Sequence, residues 1–231
     1  MNTSKNTARI VGALFIIGTL AGIFSLVFSA SIRDAQNSLA YIYANKNDVI
    51  ISALFVLLMG LSLAMIPVFM FPILKKQNEA LALGYLVFRS ALETMTSIAI
   101  AVSWLFLLPL SQVYVQAGAT EPSNLLNLGN KLLASDEIAF IATIIFCLGA
   151  LIFYFLLYQS KLVPRFISIW GILAVIPYLA SALLVMFAII SPMSTSQVVM
   201  QLPLALQEMV LAVWLLLKGF NPSVMRLTIP K

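Results

Sequence analysis

The chain has 231 residues, of which 62% are hydrophobic and 9% charged, and a formal net charge of +5. A soluble domain carries roughly 25% charged residues, so this chain cannot cover a water-facing surface. It has no histidine and one cysteine, Cys147, which excludes His-ligated zinc or iron, Ser-His or Cys-His catalysis and any intramolecular disulfide.

Uncharged runs repeatedly reach the roughly 20 residues that a helical membrane span needs. They are continuous and lack the alternation of a barrel strand, so the expected class is all-α. The first span covers about 10–28, after Lys5 and Arg9. Ser29-Ala30-Ser31 offers small residues for signal cleavage, but the apolar run exceeds the roughly 7–15 residues of a signal core. A retained span is therefore expected. Gly18 and Gly22 form a GxxxG, a pattern that lets a second helix approach closely or arises by chance in a Gly/Ala-rich span.

Residues 31–48 are polar, with Ala35, Leu39, Ile42 and Tyr43 spaced as one helical face, which predicts a short interfacial helix. The second span, 49–74, carries Pro67 and Pro72, where a kink is expected, and stops at Lys75-Lys76. The third, 80–110, would measure roughly 45 Å, enough to cross with tilt. In the loop that follows, Leu125, Leu126, Leu128, Leu132 and Leu133 predict a helix lying on the membrane or capping the bundle. Ser135-Asp136-Glu137 reads as the capped start of the fourth span, 136–158, within which Cys147 is expected to pack as a small apolar residue.

No charge appears between Arg165 and Glu208. One helix of that length would run roughly 63 Å, twice the hydrocarbon thickness. The stretch must divide, and the turn residues at 191–196 mark the place. The fifth and sixth spans are then 166–190, with Pro177 inside, and 199–217, with Pro203 in its first turn.

The expectation is one six-helix membrane domain over 1–231. Lys and Arg set its orientation. Lys5, Arg9, Lys75, Lys76, Lys161, Arg165, Lys218, Arg226 and Lys231 fall at one end, and only Arg33, Lys46 and Lys131 at the other. Both termini are expected in the cytoplasm. Trp104 and Tyr114 at the far side, and Tyr158, Trp170 and Trp214 at the near side, fit interfacial belts. The basic balance thus reads as membrane anchoring, with a lipid bilayer as partner and no nucleic acid. The residues set no oligomeric state and imply no cofactor and no metal site.

Three charges break the apolar pattern. Arg89 lies roughly 15 Å into the third span and Glu208 roughly 15 Å above Lys218, so both fall near the middle of a ~30 Å core. Glu93 follows Arg89 by one turn, and Tyr85, Thr96 and Ser97 extend the same face. Charge at that depth is costly and is usually paired inside the protein. The simplest arrangement sets Arg89 between Glu93 and Glu208, since a guanidinium can serve two carboxylates. One cation facing two acids leaves one carboxyl able to hold an exchangeable proton. Two functional readings follow. In one, Arg89, Glu93, Glu208, Tyr85 and Ser97 form a ligand-binding or proton-carrying site of a small-solute carrier. In the other, the charges only fix helix packing in a non-transporting module. No nucleophile, base or paired intramembrane aspartates stand out, so no catalytic residue is assigned and an enzyme is not expected.

Four strings resemble a bacterial and archaeal membrane family, the domain of unknown function 4386. They are Ala8-Arg9-Ile10-Val11-Gly12; Phe88-Arg89 with Glu93; Leu162-Val163-Pro164-Arg165-Phe166-Ile167-Ser168-Ile169-Trp170-Gly171; and Pro203 to Glu208 continuing to Trp214-Leu215-Leu216-Leu217-Lys218-Gly219-Phe220. The resemblance spans essentially the whole chain. It implies a multi-pass protein of the cell inner membrane and a compact helical domain, with no activity attached. Gln207 departs from the apolar or aromatic residue expected there and adds polarity beside Glu208.

Overall fold

The structure, a computed structural model, describes residues 2–118 and 123–224. Arg226 and Lys231, counted above among the anchors, lie outside the described residues, as do the side chains of Asp136 and Glu137. The described chain is helical: α1 (Asn2–Asp34), α2 (Ser38–Ala44), α3 (Lys46–Leu74), α4 (Glu79–Leu86), a π-helical turn (Val87–Leu92), α5 (Glu93–Gln116), α6 (Ser123–Ala134), α7 (Asp136–Ser160), α8 (Arg165–Met186) and α9 (Thr195–Leu217). The α4 segment, the π turn and α5 run on as one element. With it counted once, six helices are long and apolar enough to cross a membrane. Their outward faces carry large exposed side chains such as Leu54, Leu61, Met95, Phe106, Leu173 and Ile176. So much contiguous apolar surface suits lipid and not water.

The six long helices form a ring. Each packs chiefly on its two neighbours, in the order α1, α3, α4–α5, α7, α8, α9 and back to α1. In lipid there is little hydrophobic gain from helix association, so close packing at small residues must supply it. Glycines mark the joints. A Cβ on Gly12 would meet the Ala212 carbonyl of α9 at 2.7 Å, and one on Gly171 would meet the Tyr154 ring of α7 at 2.6 Å. The GxxxG of α1 belongs to this set, with Gly18 seated on Leu63 and Gly22 on Met59 of α3.

Two apolar clusters sit at opposite ends. The first gathers Ala8, Val11 and Phe15 of α1 with Leu74, Tyr85, Cys147, Leu157, Ile167 and Leu211, and so draws on all six long helices. Cys147 is fully buried there, packed as a small apolar residue. The second joins Ile32, Leu39, Ile42, Val56, Trp104, Leu107, Tyr114 and Leu133, from α1, α2, α3, α5 and α6. Its lid is formed by α2 and α6: Leu39 and Ile42 turn inward, and Leu125, Leu126 and Leu132 pack over the cluster while Leu128 stays exposed. The α6 helix therefore caps the bundle.

Several expectations need correcting. Trp104 and Tyr114 are buried and do not form a lipid-facing belt; the Trp104 indole donates to the Leu133 carbonyl at 3.0 Å, and Asn37 donates to the Tyr114 hydroxyl at 2.8 Å. The lid claims both rings, α6 through Leu133 and the start of α2 through Asn37. Ser135 does not cap α7, because its backbone is left-handed (φ 50°) and its hydroxyl donates to Leu132. Helix α9 begins at Thr195, with the Ser194 hydroxyl accepting from Gln197 N–H, so Pro203 lies in the helix interior and not in its first turn. Pro203 therefore deprives a carbonyl one turn earlier of its donor.

Candidate functional site

Arg89 sits inside the π turn of the third long helix. Such a turn adds one residue to the backbone ring, and these turns are frequent at functional positions. Beside it, Ser90 donates to the Ala64 carbonyl of α3 at 2.5 Å. Ala64 follows Leu63, whose carbonyl Pro67 leaves without its usual donor. The π turn and the proline-bearing stretch of α3 are thus joined by a side-chain bond.

The Arg89 side chain is 2% exposed. Its Nη1 donates to both Glu93 oxygens, at 3.0 and 2.9 Å. Its Nη2 lies 3.7 Å from Glu208 Oε1 on α9. The guanidinium rests over the Phe146 ring of α7, 4.7 Å from the centroid. Its aliphatic stem needs Gly149, where a Cβ would stand 2.9 Å from Arg89 Cγ. In the ring, α4–α5 and α9 are diametrically opposed. The Arg89–Glu208 contact therefore crosses the middle of the bundle, where helices on opposite sides of the ring are joined by long side chains. Glu93 and Glu208 are 13% and 16% exposed, so the acids are less enclosed than the cation between them.

The other residues expected at the site divide. Tyr85 lies at the charges. The ring stacks on Phe153 (4.7 Å, 9°), and the buried hydroxyl stands beside Arg89 without a hydrogen bond of good geometry. Ser97 is turned to other partners. Its hydroxyl donates to the Glu93 backbone carbonyl at 3.1 Å, and its Cβ faces Gly60 of α3. Thr96 likewise bonds the Glu93 carbonyl. A short hydroxyl side chain in a helix readily spends its donor on the preceding turn, and both have done so. Gln207 turns to α8, where its Nε2 donates to Ile167 O at 3.0 Å.

Sequence reasoning missed Tyr154, Tyr178 and Phe146. The Tyr154 hydroxyl is buried without a hydrogen-bond partner among the described residues, as is Gln207 Oε1. The Tyr154 ring packs against Phe153 at 5.5 Å, the ring on which Tyr85 stacks. Leaving such a hydroxyl unpaired costs about 1–3 kcal/mol, so the Tyr85 and Tyr154 hydroxyls hold unspent hydrogen-bonding capacity. A tyrosine or phenylalanine in an apolar span carries no periodic signal that would have set these three apart.

Above this centre, toward the end that holds α2 and α6, lies a cavity of about 890 Å³ lined by residues of all six long helices. Its walls include Ser25 and Leu26 of α1, Val56 of α3, Ile100 of α5, Thr143 of α7 and Ala182 of α8, and its rim includes the exposed Arg33, Asp34, Pro192 and Met193. The deepest residues along their helices are Gly22, Met59 and Tyr178. Tyr178 packs on Phe146 at 5.1 Å, and Phe146 covers Arg89. One aromatic layer therefore separates the cavity from the guanidinium.

A ring of six apolar helices around an ion-paired interior defines a polytopic membrane protein. Residues 10–219 match the family described as Domain of unknown function (DUF4386), and the chain belongs to it. No curated protein and no solved structure matches the chain.

Proposed function

We propose that this protein is a small-solute or proton-coupled carrier of the cell inner membrane, with both termini cytoplasmic and its lumen open toward the far side. Arg89, Glu93 and Glu208 act as the latch between the open and closed halves, with Tyr85 and Tyr154 supplying hydrogen-bonding capacity. The observation that carries this reading is the cavity: six spans line it, and it stops one aromatic layer short of the ion pairs. Carriers place their sites near the midplane and admit substrate from one side at a time. Two carboxylates facing one guanidinium give the latch a spare charge, so a proton or a cationic group can compete for one acid.

Purified protein in liposomes, screened for uptake of protons and small solutes, tests the reading. Flux that depends on Glu93 and Glu208 supports it. Flux unchanged in both Glu93→Gln and Glu208→Gln removes the carboxylates from the mechanism.

One observation favours a second reading, a non-transporting module. Arg89 is almost fully enclosed by Glu93, Phe146 and the Gly149 backbone. Under that reading no flux is found for any solute, and replacing all three charges by apolar residues preserves a well-folded protein.

A further inference from the structure

A second cavity, of about 410 Å³, lies at the opposite end, between the α7–α8 turn and the end of α9. That is within the roughly 300–1,000 Å³ of ligand pockets. Its floor is apolar and buried, made by Leu162, Val163 and Phe220. Three exposed cations, Lys161, Arg165 and Lys218, stand in its lining with the half-buried Trp214. None of the three forms a salt bridge among the described residues. The pocket is built by the backbone. Lys161 and Gly219 take left-handed conformations (φ 56° and 74°) that end α7 and α9, and Asn221 N–H donates to Leu162 O at 2.8 Å, tying the two segments together. Arg165 is held against the Tyr158 ring at 5.0 Å.

The cations have a simpler role to set aside: Lys161 and Lys218 follow helix C-termini, whose partial negative charge they complement. Two C-terminal ends contribute about −0.5 each and the start of α8 about +0.5. The sum is about −0.5, against three full positive charges. The excess calls for an anion. Beside the pocket, Phe166 and Leu217 are 58% and 75% exposed on the lipid-facing surface, so a ligand with an anionic head and a hydrocarbon body fits both parts.

We propose that this cavity binds the phosphate of an anionic phospholipid headgroup, with Lys161, Arg165 and Lys218 on the phosphate and Trp214 at the glycerol level. Basic pockets between spanning helices are suited to such headgroups, each cation near the surface being worth about fivefold in affinity. The test is native mass spectrometry of the full chain from micelles of mixed phosphatidylglycerol and phosphatidylcholine. A parallel arm measures thermal stability of delipidated protein with soluble glycerol phosphate. The expected result is preferential retention of phosphatidylglycerol, lost by tenfold or more in K161Q/R165Q/K218Q and kept in K75Q/K76Q, which removes two cations of the same end outside the pocket. The three single glutamine variants, each losing part of the preference, keep the test readable should the triple variant misfold. Stabilisation by glycerol phosphate without lipid retention assigns the phosphate site to a soluble phosphoester instead. No preference in the parent protein, or equal loss in K75Q/K76Q, overturns the proposal.

Discussion

At the end of the bundle that carries Ala8, Leu74, Leu162 and Phe220, side chains from all six long helices meet in one apolar cluster. At the end that carries Ile32, Trp104 and Leu133, the cluster draws on α1, α2, α3, α5 and α6, with no buried member from α7, α8 or α9 among the described residues. The 890 Å³ cavity occupies the space between that smaller cluster and the outer parts of the last three helices. The same six long helices run to both ends, but α2 and α6 are added at one end only, and the side chains between the helices change. The comparison shows how one ring can be sealed at one end and hollow at the other without any helix breaking. It also locates the boundary, because Arg89, Glu93 and Glu208 lie where the packed half gives way to the hollow one.

Removing that boundary should have the largest effect. Arg89→Ala strands two largely enclosed acids, and breaking a buried pair from one side costs about 3–5 kcal/mol. A large fall in melting temperature in detergent is expected. R89M/E93M/E208M, which removes every charge, should recover most of it. A triple variant as unstable as Arg89→Ala would mean that the loss comes from missing side-chain contacts and not from uncompensated charge.

Smaller effects should separate the two ends. Gly12 and Gly22 are both in α1, but an added methyl at Gly12 meets the Ala212 carbonyl at 2.7 Å, and at Gly22 it meets the Met59 sulfur at 3.0 Å. Backbone cannot yield and a methionine tip can. Gly12→Ala should therefore cost about 1–3 kcal/mol, the range for overpacking, and Gly22→Ala much less. Equal losses in thermal unfolding would mean that the cavity end is as tightly packed as the other.

The smallest change in stability should come from filling the hollow half. Ala139 is exposed and lines the cavity, so Ala139→Trp should alter stability by no more than about 0.5 kcal/mol while abolishing flux. Full flux in a stable A139W would take the cavity out of the transport path.

The parts of this arrangement that were legible in the sequence are those that depend on local composition. Span number follows from uncharged run length, and the turn residues at 191–196 marked the gap that separates α8 from α9. Arg89, Glu93 and Glu208 stood out because charge is rare at that depth. What stayed hidden depends on which neighbour a residue meets. Trp104 has the depth of a belt residue, yet its indole bonds Leu133; hydropathy cannot tell a ring facing lipid from one facing a lid. Ser97 lies near the right face, but its donor is taken by the Glu93 carbonyl. The π turn shifts the register after Arg89, and nothing in Val87–Leu92 announces it. The cavity is set by side-chain volume across the ring, and ring order is not written in any single span.

The direct measurement is one-sided labelling of two positions on one face of α7, in a Cys147→Ser background. Thr143 lines the cavity, and Ala150, two turns along, is buried in the packed cluster. With the N-terminal face tagged and the protein reconstituted, a membrane-impermeant thiol reagent should modify T143C from the face opposite the tag and leave A150C untouched from either. Modification of A150C from the tagged face, or protection of T143C from both, would contradict a ring that is hollow at one end and closed at the other.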